Sequence, residues 1–296
     1  MAQSIQSRLF TLMVRLMGLK KQMADPKRVQ AIIAAARTRG PQPYVRSLKL
    51  KLQSQISESQ QHGLTVYTLT PAGTTPATAI VYLCGGAYIF EASDFHWQWI
   101  DRLCQATGAA LIVPMYPKIP HATAADAYAA LEPLLQDVLV HYGSAAVQCM
   151  GDSAGGGLAL GLVLRANARG QAQPARVVGF SPWVDVTMAN PACAAAEATD
   201  NVLSRHGLVE YGRLWAGAED PRAPHISPLY GDYVGMCPLV LYAGGRELFV
   251  PDIQLLCARA QAAGVAVTYR EYAQMEHAFV IFPGAEAMQV IGEITA

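Results

Sequence analysis

Apolar residues along this chain fall into three patterns, and the order of those patterns predicts an architecture. Over residues 5–39 they recur at helical spacing, which predicts two amphipathic helices broken near Ala24-Asp25-Pro26, with Asp25 as N-cap and Pro26 at the first helical position. From Ser47 the stretch SLKLKLQ alternates Leu48, Leu50 and Leu52 with Lys49 and Lys51, the period of a half-exposed strand, and LTVYTLTP from Leu64 is its expected partner. Short continuous apolar runs follow: AIVYLC from Ala79, AALIVPM from Ala109, AAVQCMG from Ala145, RVVGFS from Arg176 and PLVLYAG from Pro238. A strand with no polar alternation is covered on both faces. Helix-length segments over 97–107, 122–141, 155–168 and 251–263 separate these runs. The expectation is therefore an α/β fold, a mostly parallel twisted sheet flanked by helices on both sides. Residues 183–232 fit the alternation poorly and read as an insertion over the carboxyl edge of the sheet. The last strand, over about 265–272, is a candidate sheet edge, and edges invite pairing between chains, so a homodimer is the candidate assembly.

Composition narrows the class. With 296 residues, 52% hydrophobic and 15% charged, the chain can bury one large core with a small appendage. Lys plus Arg and Asp plus Glu are both 22, so no global field recruits a polyanion and a nucleic-acid partner is excluded. The six cysteines lie far apart without a C-x-x-C pair, as expected of reduced core thiols in a cytoplasmic protein. The apolar stretch Leu9 to Leu19 is interrupted by Arg15 and is too short to span a bilayer, so no stable membrane insertion is expected. No H-E-x-x-H, paired Cys ligands or clustered carboxylates occur, and neither a metal nor a cofactor is expected.

The chemistry concentrates around one serine. Gly151-Asp152-Ser153-Ala154-Gly155 fits G-x-S-x-G at the junction of an apolar strand and a helix. A nucleophile at the tip of such a turn has strained backbone angles and needs neighbours without bulky Cβ groups, which Gly151 and Gly155 supply. Gly156 and Gly157 let the helix pack closely, and its N-terminus directs free N–H groups toward an anion forming beside Ser153. The same glycines could belong to a phosphate loop, but G-K-[ST] and G-x-G-x-x-G are both missing. A serine hydroxyl needs a base, and the base an orienting acid, in the chain order Ser, Asp or Glu, His. His277 in QMEHAFVIFP follows the last strand and is the candidate base; His62, His96, His121, His141, His206 and His225 read as surface or capping residues. GGRELFVPD offers two acids, Glu247 and Asp252. Glu247 is the assignment; Asp252, in the first turn of a helix opened by Pro251, is accounted for by the macrodipole and stays as the alternative.

With these residues placed, the stretch from about Leu64 to Phe282 resembles the hormone-sensitive-lipase-like branch of the α/β-hydrolase superfamily, the carboxylesterases and acetyl-hydrolases. CGGAY from Cys84 is similar to its HGGG-type loop, GDSAGG from Gly151 to its nucleophile elbow, FSPWVDVT from Phe180 and ISPLYGD from Ile226 to the segments after the elbow, and MEHAF to the surroundings of its histidine. The resemblance implies an α/β-hydrolase fold and a serine hydrolase of short-chain acyl esters, with Ser153 as nucleophile, His277 as base and Glu247 as acid. It further implies an oxyanion hole from the backbone of Gly86, Ala87 and Ala154, and a helical cap from residues 1–45 and 183–232 over a core spanning 46–296. Candidate pocket walls are Phe10, Met13, Met17, Phe90, Trp183, Tyr211 and Trp215, of which Phe90, Trp183 and Trp215 are the candidate substrate-binding residues. Cys84 stands where the family has histidine, and Glu247 where Asp is commoner. Three other readings use part of the same features: an amidase or arylformamidase, a non-catalytic small-molecule-binding protein on the same scaffold, and a lipid-binding protein docking through LFTLMVRLMGLKK, a pattern that cap packing explains more economically.

Overall fold

The computed structural model describes residues 4–295 apart from Pro43 and Leu48. The amino-terminal helices α1 (Ile5–Met17), α2 (Leu19–Ala24) and α3 (Pro26–Arg39) precede an antiparallel hairpin of β1 (Gln55–Gln61) and β2 (Leu64–Thr70). Strands and helices then alternate: β3 (Ala79–Leu83), α4 (Asp94–Thr107), β4 (Ala110–Met115), α5 (Ala124–Tyr142), β5 (Val147–Asp152), α6 (Ser153–Ala168) and β6 (Arg176–Phe180). After α7 (Pro191–Ala196) and α8 (Arg205–Ala216) the alternation resumes with β7 (Leu239–Gly244), α9 (Val250–Ala262), β8 (Val267–Tyr272) and α10 (Ala285–Thr295). The eight strands form one sheet in the order β1-β2-β4-β3-β5-β6-β7-β8, parallel from β4 to β8 and antiparallel at β1 and β2.

Alternate residues of each central strand enter two different apolar clusters. In β3, Ala79, Val81 and Leu83 face the side covered by α5, α6 and α9, whereas Ile80 and Tyr82 face the side covered by α4 and α10. Both faces are dry, which is why these strands read as unbroken apolar runs. β8 is an edge of the sheet, as its half-polar sequence predicts.

Two sequence expectations are corrected. The alternating stretch 47–53 is not a strand, and its Leu48 lies outside the described residues; the partner of β2 is the polar β1. The Asp101 carboxylate accepts the backbone N–H groups of Gln53 at 3.0 Å and Ser54 at 2.9 Å, taking up donors that a ladder needs, while Leu50 and Leu52 pack against the cluster under α4. The register of the hairpin is set by the two-residue turn His62-Gly63, both at positive φ. The amino-terminal region contains three helices rather than two, because Gly18 at φ 61° caps α1 about two turns before the break at Asp25.

The amino-terminal helices and the 183–232 segment form one layer. Met23 of α2 packs so closely on Gly207 of α8 that a Cβ there would lie 2.3 Å from it. Lys20 donates to the carbonyls of Glu197 and Asp200, and the Asp200 carboxylate in turn accepts from Leu248 N–H just beyond β7. That chain of contacts puts the layer at the carboxyl ends of the parallel strands, where an open α/β sheet offers its crevice.

Candidate active site

β5 passes directly into α6, and the turn between them holds Ser153 at φ 51°, a left-handed value that strains any residue with a side chain. The strain is tolerated because the backbone on either side has collapsed together. A Cβ on Gly151 would meet the Gly155 carbonyl at 2.4 Å, and one on Gly155 would meet the Leu83 carbonyl at 2.0 Å. Only glycine fits either position, so the turn is locked with its hydroxyl at the strand tip.

Two loops, after β7 and after β8, bring Glu247 and His277 to that hydroxyl. Ser153 Oγ lies 2.8 Å from His277 Nε2, and His277 Nδ1 is hydrogen-bonded to Glu247 Oε2. The other oxygen of Glu247 accepts from Gly244 N–H at 2.9 Å, which fixes the carboxylate at the end of β7. On the histidine side, Ala278 N–H donates to Ser181 Oγ at 3.0 Å, and the ring packs edge-on to Phe249 at 5.2 Å. Ser153 is 8% exposed, His277 6% and Glu247 1%, so all three side chains are buried, the serine least. Burial alone lowers a histidine pKa, but the Glu247 carboxylate on Nδ1 outweighs it and holds His277 above the ordinary 6.5. Asp252, the alternative acid, stands apart: its Oδ1 accepts from Asn190 at 2.8 Å in the first turn of α9, and no hydrogen bond joins it to His277.

The loop after β3 faces the same serine. Gly86 has φ 126°, and Ala87 and Tyr88 follow at 50° and 60°; a Cβ on Gly86 would lie 2.5 Å from the Phe90 carbonyl. Among the described residues, the backbone N–H groups of Gly86, Ala87 and Ala154 have no hydrogen-bond acceptor, and Ala154 lies in the first turn of α6 where such orphans are expected. Three buried aromatic rings hold the loop: Trp215 stacks on Tyr88 at 3.9 Å with an interplanar angle of 1°, and Trp183 stacks on it at 5.4 Å. Trp183 and Trp215 have no exposed surface, whereas Phe90 is half exposed and meets Tyr211 edge-on. Of the other wall candidates, Phe10 stacks on Phe282, and Met13 and Met17 face solvent on α1.

Sequence reasoning passed over the supports of this loop. Gly85 N–H and Tyr82 OH donate to Asp152 Oδ1 at 3.1 and 3.0 Å, and His96 Nε2 lies 3.2 Å from Asp152 Oδ2. Burial by itself would raise the Asp152 pKa; His96 and these two donors instead keep it below the ordinary 3.8. The Cys84 thiol takes no part: burial pushes its pKa far up, and the loop is braced at that residue by Tyr116 OH donating to the Cys84 carbonyl at 2.7 Å. The one available signal was the spacing Ser93-x-x-His96, in which the imidazole accepts Ser93 N–H as the glutamate of a capping box does.

The sequence profile of the alpha/beta hydrolase fold family matches residues 80–281. An acetyl-hydrolase from Streptomyces hygroscopicus is 31% identical over 222 residues, covering 72% of this chain and 73% of that protein. A triacylglycerol lipase from Mycobacterium tuberculosis is 31% identical over 230 residues, 77% of this chain and 47% of that one. Among solved structures, a hormone-sensitive lipase from a metagenome library superposes with a TM-score of 0.81 at 25% identity, over 98% of this chain and 96% of that chain.

Proposed function

The chain belongs to the alpha/beta hydrolase fold family and is a carboxylesterase-type hydrolase similar to the hormone-sensitive-lipase group, and from that premise we propose that it cleaves short-chain acyl esters through a Ser153-His277-Glu247 relay. The observation that carries the reading is the unbroken hydrogen-bond path from Ser153 Oγ through His277 to Glu247, aimed at a loop with free N–H donors. His277 Nε2 takes the Ser153 proton as Oγ attacks the acyl carbon, and Glu247 holds Nδ1–H and stabilises the imidazolium that results. The N–H groups of Gly86, Ala87 and Ala154 donate to the developing oxyanion, each such donor being worth about 2.7–4 kcal/mol in comparable sites. His277 then gives its proton to the departing alkoxide, leaving an acyl-enzyme and a free alcohol. Water, deprotonated by the same nitrogen, releases the acid and restores Ser153. The likeness to the acetyl-hydrolase supports the short acyl chain.

Hydrolysis of p-nitrophenyl acetate and longer p-nitrophenyl esters by the intact chain and by Ser153→Ala tests this. The expected result is activity that falls with acyl length and drops about 10⁵- to 10⁶-fold in the variant. Activity that survives the substitution removes the nucleophile assignment, and inactivity of the intact chain on ester and amide panels removes the reading.

A further inference from the structure

The first helix is inside out. Its protein-facing side consists of Ser7, Thr11 and Val14, while Ile5, Leu9, Leu12, Met13, Leu16 and Met17 are all exposed, Ile5 by 77% and Leu16 by 79%. At 3.6 residues per turn these six share an arc of about 140° opposite the buried side. Elsewhere among the described residues the large exposed apolar side chains, such as Val140, Val234 and Leu255, are scattered along the chain, so the stripe on α1 is not the ordinary apolar content of a surface.

The helix is nevertheless firmly attached. Ser4 and Ser7 donate to the Glu286 carboxylate at 2.7 and 2.6 Å, Phe10 stacks on Phe282 at 3.8 Å, and Arg15 donates to Asn201 at 3.2 Å. Asn201 in turn grips both oxygens of Glu276, the residue before His277. The outward stripe is therefore held in place by α10, by Phe282 in the segment after His277, and by Asn201, which is bonded to the residue before His277.

Charge says what fits it. Residues 5–24 contain Arg8, Arg15, Lys20 and Lys21 and no acidic residue, in a chain whose overall charge is zero. Arg8 and Arg15 are exposed and lie along one border of the apolar stripe. A two-fold contact between two such helices would set these cations against their own copies. Thirteen residues, about 20 Å of helix, fall short of a hydrocarbon core, and no helix of the described residues is long and apolar enough to cross a membrane.

We propose that α1 docks the protein on an anionic phospholipid bilayer, lying in the interface with Ile5, Leu9, Leu12 and Leu16 among the upper acyl chains and Arg8 and Arg15 at the headgroup phosphates. Docking in this way sets the side of the molecule that carries the His277 loop against the lipid, where an ester dissolved in the bilayer is concentrated. The binding rests on α1 alone and not on the relay, so the two readings fail separately.

Flotation of the full chain with vesicles of phosphatidylcholine, with and without one third phosphatidylglycerol, tests the proposal. Binding is expected on the anionic vesicles and to be weaker by about tenfold or more on phosphatidylcholine alone or at high salt, where surface charge is screened. The variant Leu9→Ser/Leu12→Ser/Leu16→Ser is expected to lose binding by about tenfold or more while hydrolysing p-nitrophenyl acetate in solution at the normal rate, because these exposed side chains are no part of either apolar core. Arg8→Gln is expected to weaken binding at low salt only. Failure of the intact chain to float, or equal flotation of the triple variant, overturns the proposal. So does light scattering that shows a dimer which the triple variant converts to a monomer without any vesicle binding, because a second copy is then the occupant. Vesicle binding by a chain inactive on every ester leaves the docking standing and removes the relay.

Discussion

His277 with Glu247 and His96 with Asp152 are the same pair of chemical groups, buried in the same molecule on two sides of the Ser153 turn, and they differ in what the second ring nitrogen faces. In the first pair the carboxylate takes Nδ1–H, so Nε2 carries its lone pair toward Ser153 Oγ. In the second, Ser93 N–H donates to Nδ1 at 3.1 Å, so the proton sits on Nε2 and points to Asp152. The two rings thus hold opposite tautomers, assigned by their partners. One has a nitrogen free for a reactant; the other has both nitrogens consumed by protein and is a strut between the cap of α4 and the loop behind Gly85. A buried histidine beside a carboxylate is consequently no mark of a general base: the role is decided by the far nitrogen.

The largest effect separates the two rings. His277→Ala is expected to lower kcat on p-nitrophenyl acetate by about 10⁵- to 10⁶-fold, as loss of the base costs as much as loss of the nucleophile when they act as a unit. Circular dichroism on the same sample excludes unfolding. A comparable loss in a folded His96 variant would erase the distinction drawn here.

Next in size is the acid. Glu247→Gln keeps the shape of the side chain but not its charge, and about 10⁴-fold is expected to be lost from kcat. Asp252→Asn, bonded to Asn190 and not to the relay, should stay within a few-fold. The pH profile sharpens this further. A base works only when unprotonated, and His277 is held above 6.5 by its carboxylate, so activity is full at alkaline pH and is lost on descent through a value above 6.5. In Glu247→Gln the residual activity should lose that limb toward lower pH, because the interaction that favoured the imidazolium is gone. A limb that stays in place assigns the titration to another group.

These differences mark what the sequence could express. The α/β alternation, the parallel core and the elbow were legible because each is local: continuous apolar runs follow from two covered faces, and the Gly151 and Gly155 spacing follows from backbone that leaves no room for a Cβ, which would lie 2.4 and 2.0 Å from the facing carbonyls. The order Ser, Glu, His was legible because the strand ends that carry them are fixed by the topology. The strut was not. His96 and Asp152 are 56 positions apart, and Asp152 occupies the variable position of the serine motif, which no local pattern marks. The false strand at 47–53 has the same origin, since the Asp101 carboxylate that ends its pairing comes from a helix 47 or 48 residues away. The solvent-facing stripe of α1 was legible as amphipathic, but which side the protein would cover depends on Glu286 and Phe282 at the other end of the chain.

The smallest effect concerns the strut itself. Asp152 holds the loop by accepting Gly85 N–H, and His96 holds Asp152; neither touches a reactant, so His96→Ala should misplace the N–H donors of Gly86 and Ala87 without changing how the ground-state ester binds. The expected signature is a fall in kcat of about 10- to 100-fold with KM nearly constant, the size that follows when a donor shifts by a fraction of an ångström to an ångström. His96→Asn and His96→Gln distinguish positioning from bulk: an amide that reaches Asp152 with its N–H should restore part of the rate, and the shorter one should not. Cys84→Ala is the control. The residue standing at the family's histidine position has a buried thiol that braces nothing, and Tyr116 holds its carbonyl in either variant, so kcat should change by less than about threefold. If removing the thiol costs more than removing the imidazole, the loop is supported from its own first residue, and the second histidine–carboxylate pair is packing alone.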